Sequence, residues 1–357
     1  MAYITFQPKD NFNAKVYTGN GSNGHNITGV GFASDFIWIK CSETDTYEHH
    51  LMDVVRGFGS GSNDTPNLST NSVEAEYNRD IFSSTGITSD GFELDNYGDT
   101  NAVDQDFIAW CWKAGGSGSA NTNGSINSTV SVDQTAGFSI VGYTGNGTAN
   151  QTVGHGLSST PEVIIIKNRS AGNAFWSVIN SRLSSTGDPN MLYLNSTSAE
   201  ADDTNIMGDN LPNATTFGVD DYAGVNVNSQ NFIAYCFNPV KGFSKFGAYM
   251  GDGNSTSGPI VYTGFKPAWI MIKGWAGSDN WIMMDNKRSG YNCENEYLKA
   301  NSTDAQLDGS GQVDFLSNGF KIRNSFSSVN YVTGGYFYMA FAEHPVVSSN
   351  SVPATAR

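Results

Sequence analysis

The chain has 357 residues and an acidic balance, with 19 Lys and Arg against 34 Asp and Glu, a formal charge of −15. Only 15% of its residues are charged, against roughly 25% in an average soluble domain, and 40 glycines with many Asn, Ser and Thr supply polarity instead. This excludes a nucleic-acid binder or a membrane-surface protein that works through clustered Lys and Arg, and a hydrophobic content of 38% excludes wholesale disorder.

The N-terminus lacks a basic region followed by an apolar one, so no signal peptide is expected. No apolar run approaches the ~18 residues of a membrane span. The first landmark is Tyr17-Thr18-Gly19-Asn20-Gly21. Asn-Gly favours a tight turn because both residues tolerate positive φ. The string from Gly19 to Gly24 matches GxGxxG, but no helix pattern follows, so a hairpin turn is expected and not a dinucleotide loop. Phe36-Ile-Trp-Ile-Lys40 is a strand-sized apolar run closed by Lys. His49 and His50 are adjacent, so on a strand they point to opposite faces and cannot share a metal. Asp53 and Arg56 read as an ion pair that fixes a loop. Asn71 precedes Ser72 and is expected to bond its own turn backbone. Glu74 and Glu76 share a face of an extended segment. They are the one carboxylate pair that could serve glycoside hydrolysis, and a solvated edge is the preferred reading. The run Asp95 to Asn101 offers oxygen atoms but lacks a calcium-loop pattern. Phe107-Ile-Ala-Trp-Cys111-Trp112 is apolar on both sides, so this strand is expected to lie centrally with both faces covered.

Residues 114–136 form a Gly/Ser/Asn linker in which Ile126 to Val132 could add an edge strand. Every landmark then returns in order. Tyr143-Thr-Gly-Asn-Gly147, Val163-Ile-Ile-Ile-Lys167, Leu194-Asn195-Ser196, Thr216-Phe217-Gly-Val219 and Phe232-Ile-Ala-Tyr-Cys236-Phe237 make a second set. After Asn238-Pro-Val-Lys-Gly242, expected to be either a stiff junction or a place where the two units share strands, come Tyr249-Met-Gly-Asp-Gly253, Trp269-Ile-Met-Ile-Lys273, Ala300-Asn301-Ser302, Asn318-Gly319-Phe320 and Tyr336-Phe-Tyr-Met-Ala-Phe341. From Tyr17 to Phe107 is 90 residues, from Tyr143 to Phe232 is 89, and from Tyr249 to Tyr336 is 87. Five ordered landmarks at held spacing mark an internal repeat. The Asp53/Arg56 pair returns as Asp285/Arg288 and weakly as Asn180/Arg182. Short strands punctuated by Gly, Asn and Ser, in units of this length, predict β-sandwiches. The fold class is therefore all-β, three tandem lectin-like or jelly-roll sandwiches. The expected divisions are 1–113, an N-terminal segment with the first sandwich; 114–136, the linker; 137–240 and 241–345, the second and third sandwiches; and 346–357, an extended tail.

No catalytic constellation, metal motif or cofactor loop stands out among His25, His49, His50, His155 and His344. Neither HExxH nor GxSxG occurs. Cys41, Cys111, Cys236 and Cys293 form no CxxC pair and read as core thiols; a Cys111–Cys236 disulfide would need two units to approach closely. Trp176 and Trp281 occupy equivalent positions beside polar residues. Trp275 lies in a Gly-rich loop without an aromatic counterpart and is the one ligand-binding candidate, able to stack on a sugar or anchor a partner.

The repeated strings have a further implication. Phe12-Asn-Ala-Lys-Val-Tyr-Thr-Gly-Asn-Gly21, Ser89-Asp-Gly-Phe92, Ala109-Trp-Cys-Trp112, Gly137-Phe-Ser-Ile-Val-Gly-Tyr-Thr-Gly-Asn-Gly147 and Gly242-Phe-Ser-Lys-Phe-Gly247 resemble repeat-containing proteins of tailed, mostly marine, bacteriophages. The resemblance spans about residues 12 to 343. It implies a non-enzymatic virion structural protein, lectin-like and tail-associated, assembled in the host cytoplasm, and it brings no catalytic residues. The expected role is a tail-fibre or appendage component for host attachment. Its expected partners are other virion proteins, further copies of itself (a trimer) and a host-surface glycan, with no nucleic acid and no membrane insertion. A head-decoration protein and a glycan-degrading tail enzyme are the alternatives.

Overall fold

A computed structural model describes residues 7–59, 64–180, 190–201, 206–309, 312–343, 346–347 and 353–354. Arg182, His344 and most of the tail lie outside the described residues. The protein is an all-β sandwich assembly, and its named strands pair antiparallel.

The first segment contains β1 (Phe12–Thr18), β2 (His25–Thr28), β3 (Phe36–Cys41), β4 (His50–Asp53), β5 (Thr65–Asn67), β6 (Tyr77–Arg79), β7 (Phe82–Thr88), β8 (Gly91–Leu94), the short α1 (Gly98–Asn101) and β9 (Asp106–Trp112). Its main sheet has the order β1-β9-β3-β4, and β2-β8-β7 forms a smaller sheet. The second contains β10 (Ser119–Asn121), β11 (Ser128–Asp133), β12 (Phe138–Thr144), β13 (Gln151–Gly154), β14 (Val163–Asn168), β15 (Ser177–Asn180), β16 (Met191–Tyr193), β17 (Thr216–Val219) and β18 (Asn231–Phe237). Its main sheet runs β10-β11-β12-β18-β14-β15-β16, with β13-β17 as the smaller one. The stretch 114–136 thus supplies two strands to this sheet, because Ser128–Asp133 pairs with residues 138–143 of β12 and Ser119–Asn121 pairs with β11 in turn. The third contains β19 (Ser244–Met250), β20 (Ile260–Tyr262), β21 (Pro267–Gly274), β22 (Ile282–Asp285), β23 (Leu298–Lys299), β24 (Val313–Leu316), β25 (Gly319–Ile322), α2 (Ser327–Asn330) and β26 (Gly335–Ala342). Its sheets are β19-β26-β21-β22-β23 and β20-β25-β24. In each segment the strand before the glycine turn (β1, β12 or β19) pairs with the last strand, the last with the Lys-bearing strand (β3, β14 or β21), and that strand with the next.

Strand alternation explains the cores. One face of each main sheet packs on its own small sheet. Tyr17, Ile37, Phe107 and Cys111 meet Phe82 and Phe92; Tyr143, Ile164 and Phe232 meet Phe217; Ile270, Tyr336 and Ala340 meet Phe320. The opposite faces of all three sheets share one further core that contains Phe12, Phe36, Trp110, Phe138, Tyr235 and Phe341. There Phe36 lies 4.5 Å from Tyr235 across the first and second sheets, and Phe12 lies 5.3 Å from Phe341 across the first and third. A void of about 20 Å³ remains among these apolar side chains. The sandwiches, tandem in sequence, are therefore joined through a common centre. A sheet apolar on both faces must be covered on both, and the other two sheets supply the second cover. Cys111 faces the first segment's own core and Cys236 the second's, so the two thiols considered for a disulfide are apart, and both are free.

The joints are cyclic. The indole N–H of Trp176 donates to Ser69 O at 2.9 Å and that of Trp281 to Tyr193 O at 2.8 Å. His49 stands at the same position in the first segment and bonds Lys299 O at 3.0 Å. The first segment thus holds the second, the second the third, and the third the first. Lys167 and Lys273 follow the same rule. Each is fully buried, and each ammonium donates to a carbonyl of the preceding segment, Val73 O at 3.0 Å and Thr197 O at 3.0 Å. Burial lowers both amines to about 8.

Candidate functional site

The residues that the sequence singles out are mostly tied into this frame. Arg56 and Asp53 form a buried ion pair, and the Tyr235 hydroxyl of the second segment donates to Asp53 at 2.8 Å. Burial alone would lower the Arg56 guanidinium, but Asp53, Tyr235 and Glu76 raise it above its ordinary value. Arg288 and Asp285 form the matching pair at 2.7 Å, and Trp110 donates to Asp285 at 3.3 Å. Glu76 lies between Arg56 at 3.3 Å and Arg169 at 2.7 Å, whereas Glu74 is exposed. The two carboxylates are therefore in different settings, and Glu76 is engaged in joining two segments.

His49 and His50 do face opposite sides. His49 Nδ1 accepts from the Trp38 indole at 2.9 Å, while His50 Nε2 lies 3.3 Å from Asp99. Burial holds His49 well below the usual imidazole range. His155 is buried against Asn213 O at 3.1 Å and is lowered for the same reason. Of the acidic run, Asp99 faces His50 and Asn101 is a structural clamp. Among the described residues no group of three His, Cys, Asp or Glu is placed to hold a metal ion, and no helix is long and apolar enough to cross a membrane.

Asn71, Asn195 and Asn301 do not bond their own turns. They accept the backbone N–H groups of His49, Trp176 and Trp281 at 2.9, 2.8 and 2.8 Å. The Ser after each one holds the turn instead. A second asparagine set escaped the sequence reading. Asn101, Asn226 and Asn330 are buried, and their side-chain oxygens accept from Asn20, Asn146 and Asp252 in the glycine turns at 3.0, 2.8 and 2.8 Å. Their amide groups donate to Ser22 O, Thr148 O and Asn254 O beyond those turns. Each lies six residues before its last-strand aromatic, Phe107, Phe232 or Tyr336, so the spacing was a usable signal.

Trp275 is half-buried and packs against the central core. Its ring lies so close to Gly335 that a Cβ there would come within 2.0 Å of it. Beside it opens a cleft of about 320 Å³, lined by Ser278, Asp279, Ser327, Tyr331, Thr333 and Gly335 among others. Tyr331 is 61% exposed, whereas Tyr336 is buried, its hydroxyl donating to Ser327 O and accepting from Tyr331 N. Burial raises the Asp279 carboxyl and the nearby Lys273 lowers it in part. Lys273 also donates to Asp279 O at 2.7 Å, which fixes this loop. The corresponding edges of the other segments carry side chains. Asp106 N donates to Glu43 at 2.9 Å, and Asn231 N donates to the Ser170 hydroxyl at 2.9 Å. The third segment has Ala276 in place of Glu43 or Ser170, and Gly334-Gly335 in place of Gln105-Asp106 or Gln230-Asn231.

No curated protein and no solved structure matches the chain significantly. Residues 7–345, which take in all three sheets and the shared core, match the family described as a domain of unknown function, DUF7483, and the chain belongs to that family.

Proposed function

We propose that the chain is a non-enzymatic structural protein of a tailed-bacteriophage virion, a tail-associated fibre or appendage component that presents lectin-like sandwiches to a host-surface glycan. The observation that carries the reading is the closed ring of three sheets around one core. It makes a rigid frame from which low-charge polar loops point outward, the arrangement expected of a protein that displays loops on a scaffold. The phage-like repeat strings span that same frame. The charged groups most suited to chemistry, Glu76, Asp53 and Arg56, are consumed in ion pairs within the ring, which supports a structural role over hydrolysis.

Immunogold labelling of intact particles tests the placement. Label on the tail supports the proposal, and label spread over the head favours the decoration role. Host polysaccharide incubated with the protein should keep its chain length. Shortening that disappears in Glu74→Gln/Glu76→Gln would establish the enzyme instead. The homo-oligomer is part of the proposal, and light scattering should give three times the mass of one 38.3 kDa chain for the expected trimer.

A further inference from the structure

We propose that the cleft between residues 276–279 and 327–336 is a saccharide site that takes a neutral sugar unit. This rests on the glycan-attachment reading above and assigns its contact surface. A volume of about 320 Å³ lies within the range of small-molecule pockets, roughly 300–1,000 Å³. Its chemistry is that of a polyol ligand. Tyr331, 61% exposed, offers an aromatic face to the C–H face of a pyranose. Asp279 offers two acceptor oxygens to adjacent sugar hydroxyls, and Ser278, Ser327 and Thr333 add groups that donate and accept.

Charge selects within the sugars. No Lys or Arg lines this cleft, and the nearby Lys273 is buried with its ammonium bonded to Asp279 O and Thr197 O. An anionic sugar would meet Asp279 without a compensating cation, in a chain of charge −15. A larger cleft at the junction of the second and third segments, about 350 Å³, has Lys241, Lys245 and Glu162 in its lining, and Lys245 is already bonded to Tyr262 O at 2.6 Å. The internal repeat supplies an independent comparison. The first and second segments occupy the matching edge with Glu43 and Asp106, or with Ser170 and Asn231, and the third removes those side chains. Trp275, the sequence candidate, covers Gly335 with its ring, where Asp106 and Asn231 carry side chains in the other segments, and the exposed platform is Tyr331.

The test is titration of the full chain with methyl glycosides of neutral hexoses and N-acetylhexosamines, followed by saturation-transfer NMR and by tyrosine fluorescence. Saturable binding is expected for at least one glycoside. Tyr331→Ala and Asp279→Asn should each weaken it by about tenfold or more at an unchanged melting temperature. Ala276→Glu, which installs the side chain of Glu43, should block it, and sialyllactose should not compete. The site is overturned if no neutral glycoside saturates, if affinity survives both Tyr331→Ala and Asp279→Asn, or if the anionic sugar binds more tightly. The outcomes separate from those of labelling. Head label with intact glycoside binding sinks the tail placement and keeps this site, and tail label without glycoside binding does the reverse.

Discussion

Asn330 shows how one side chain can hold a loop. It is fully buried, accepts from Asp252 N and donates to Asn254 O and Asn324 O, with N···O distances of 2.8, 3.2 and 2.7 Å. A carboxamide offers an acceptor oxygen and a two-hydrogen donor on one rigid group, which this triple contact uses. Asn330→Ala leaves buried backbone groups unpaired, and each such group costs about 1–3 kcal/mol. A loss of about 2–3 kcal/mol in urea denaturation is expected, and Asn330→Asp should be as damaging because the carboxylate cannot donate. The Asp53–Arg56 pair is a harsher case, since both side chains are fully buried. Asp53→Ala strands a charge and should cost about 3–5 kcal/mol. Arg169→Ala removes a partly exposed partner of Glu76 and should cost about 1 kcal/mol or less. The Asp53/Arg56 pairing was legible as two charges three positions apart that recur in the third segment. Its contact with Tyr235 was not, because 182 positions separate the partners.

At the scale of the element, the three joints differ in one informative place. Trp176 and Trp281 cross two of them and His49 the third. With His49 Nδ1 accepting from Trp38, its proton sits on Nε2 and donates to Lys299 O. Burial disfavours a second proton, that proton would face the Trp38 N–H, and the nearby Lys40 adds like charge. His49 is therefore neutral when folded, its affinity for protons lowered well below 6.5. The unfolded chain binds more protons below about 6.5, so stability is complete above that pH and falls as pH drops through it. Burial raises Glu294 to about 7, which opposes this over the same range, so the His49 contribution is read as the difference between variants in how melting temperatures change from pH 7 down to pH 5. They should fall less in Trp38→Met/His49→Trp, which copies Met271 and Trp281, while buried His155 keeps part of the slope. The opposite placement of His49 and His50 follows from strand alternation and was readable. Their joint partners come from another segment and were not.

For the whole molecule, the shared core has a direct consequence. A chain cut to residues 1–113 would expose Phe12, Phe36, Trp110 and Trp112, which the other two sheets cover. Apolar exposure of that size opposes independent folding. The fragment should be soluble only with bound detergent or should aggregate, with no cooperative melt by circular dichroism. The full chain should melt in one calorimetric transition whose van't Hoff and calorimetric enthalpies agree. Three separate transitions would mean that the sandwiches are independent.

The sequence by itself determined the all-β class, the order of the landmarks and the central position of the last strand in each segment. These follow from local alternation and turn chemistry, which act over a few residues. The two-sided apolar strands even showed that a second face needed cover. Only the tertiary structure decided what covers it. Three sheets close on one another, and the contacts that bind them join residues distant in the chain, 76 positions apart for Lys273 and Thr197 and 250 for His49 and Lys299. The cleft beside Tyr331 belongs to the same class of feature. Asp279 and Tyr331 stand 52 positions apart in the chain and line one cleft only in the folded molecule.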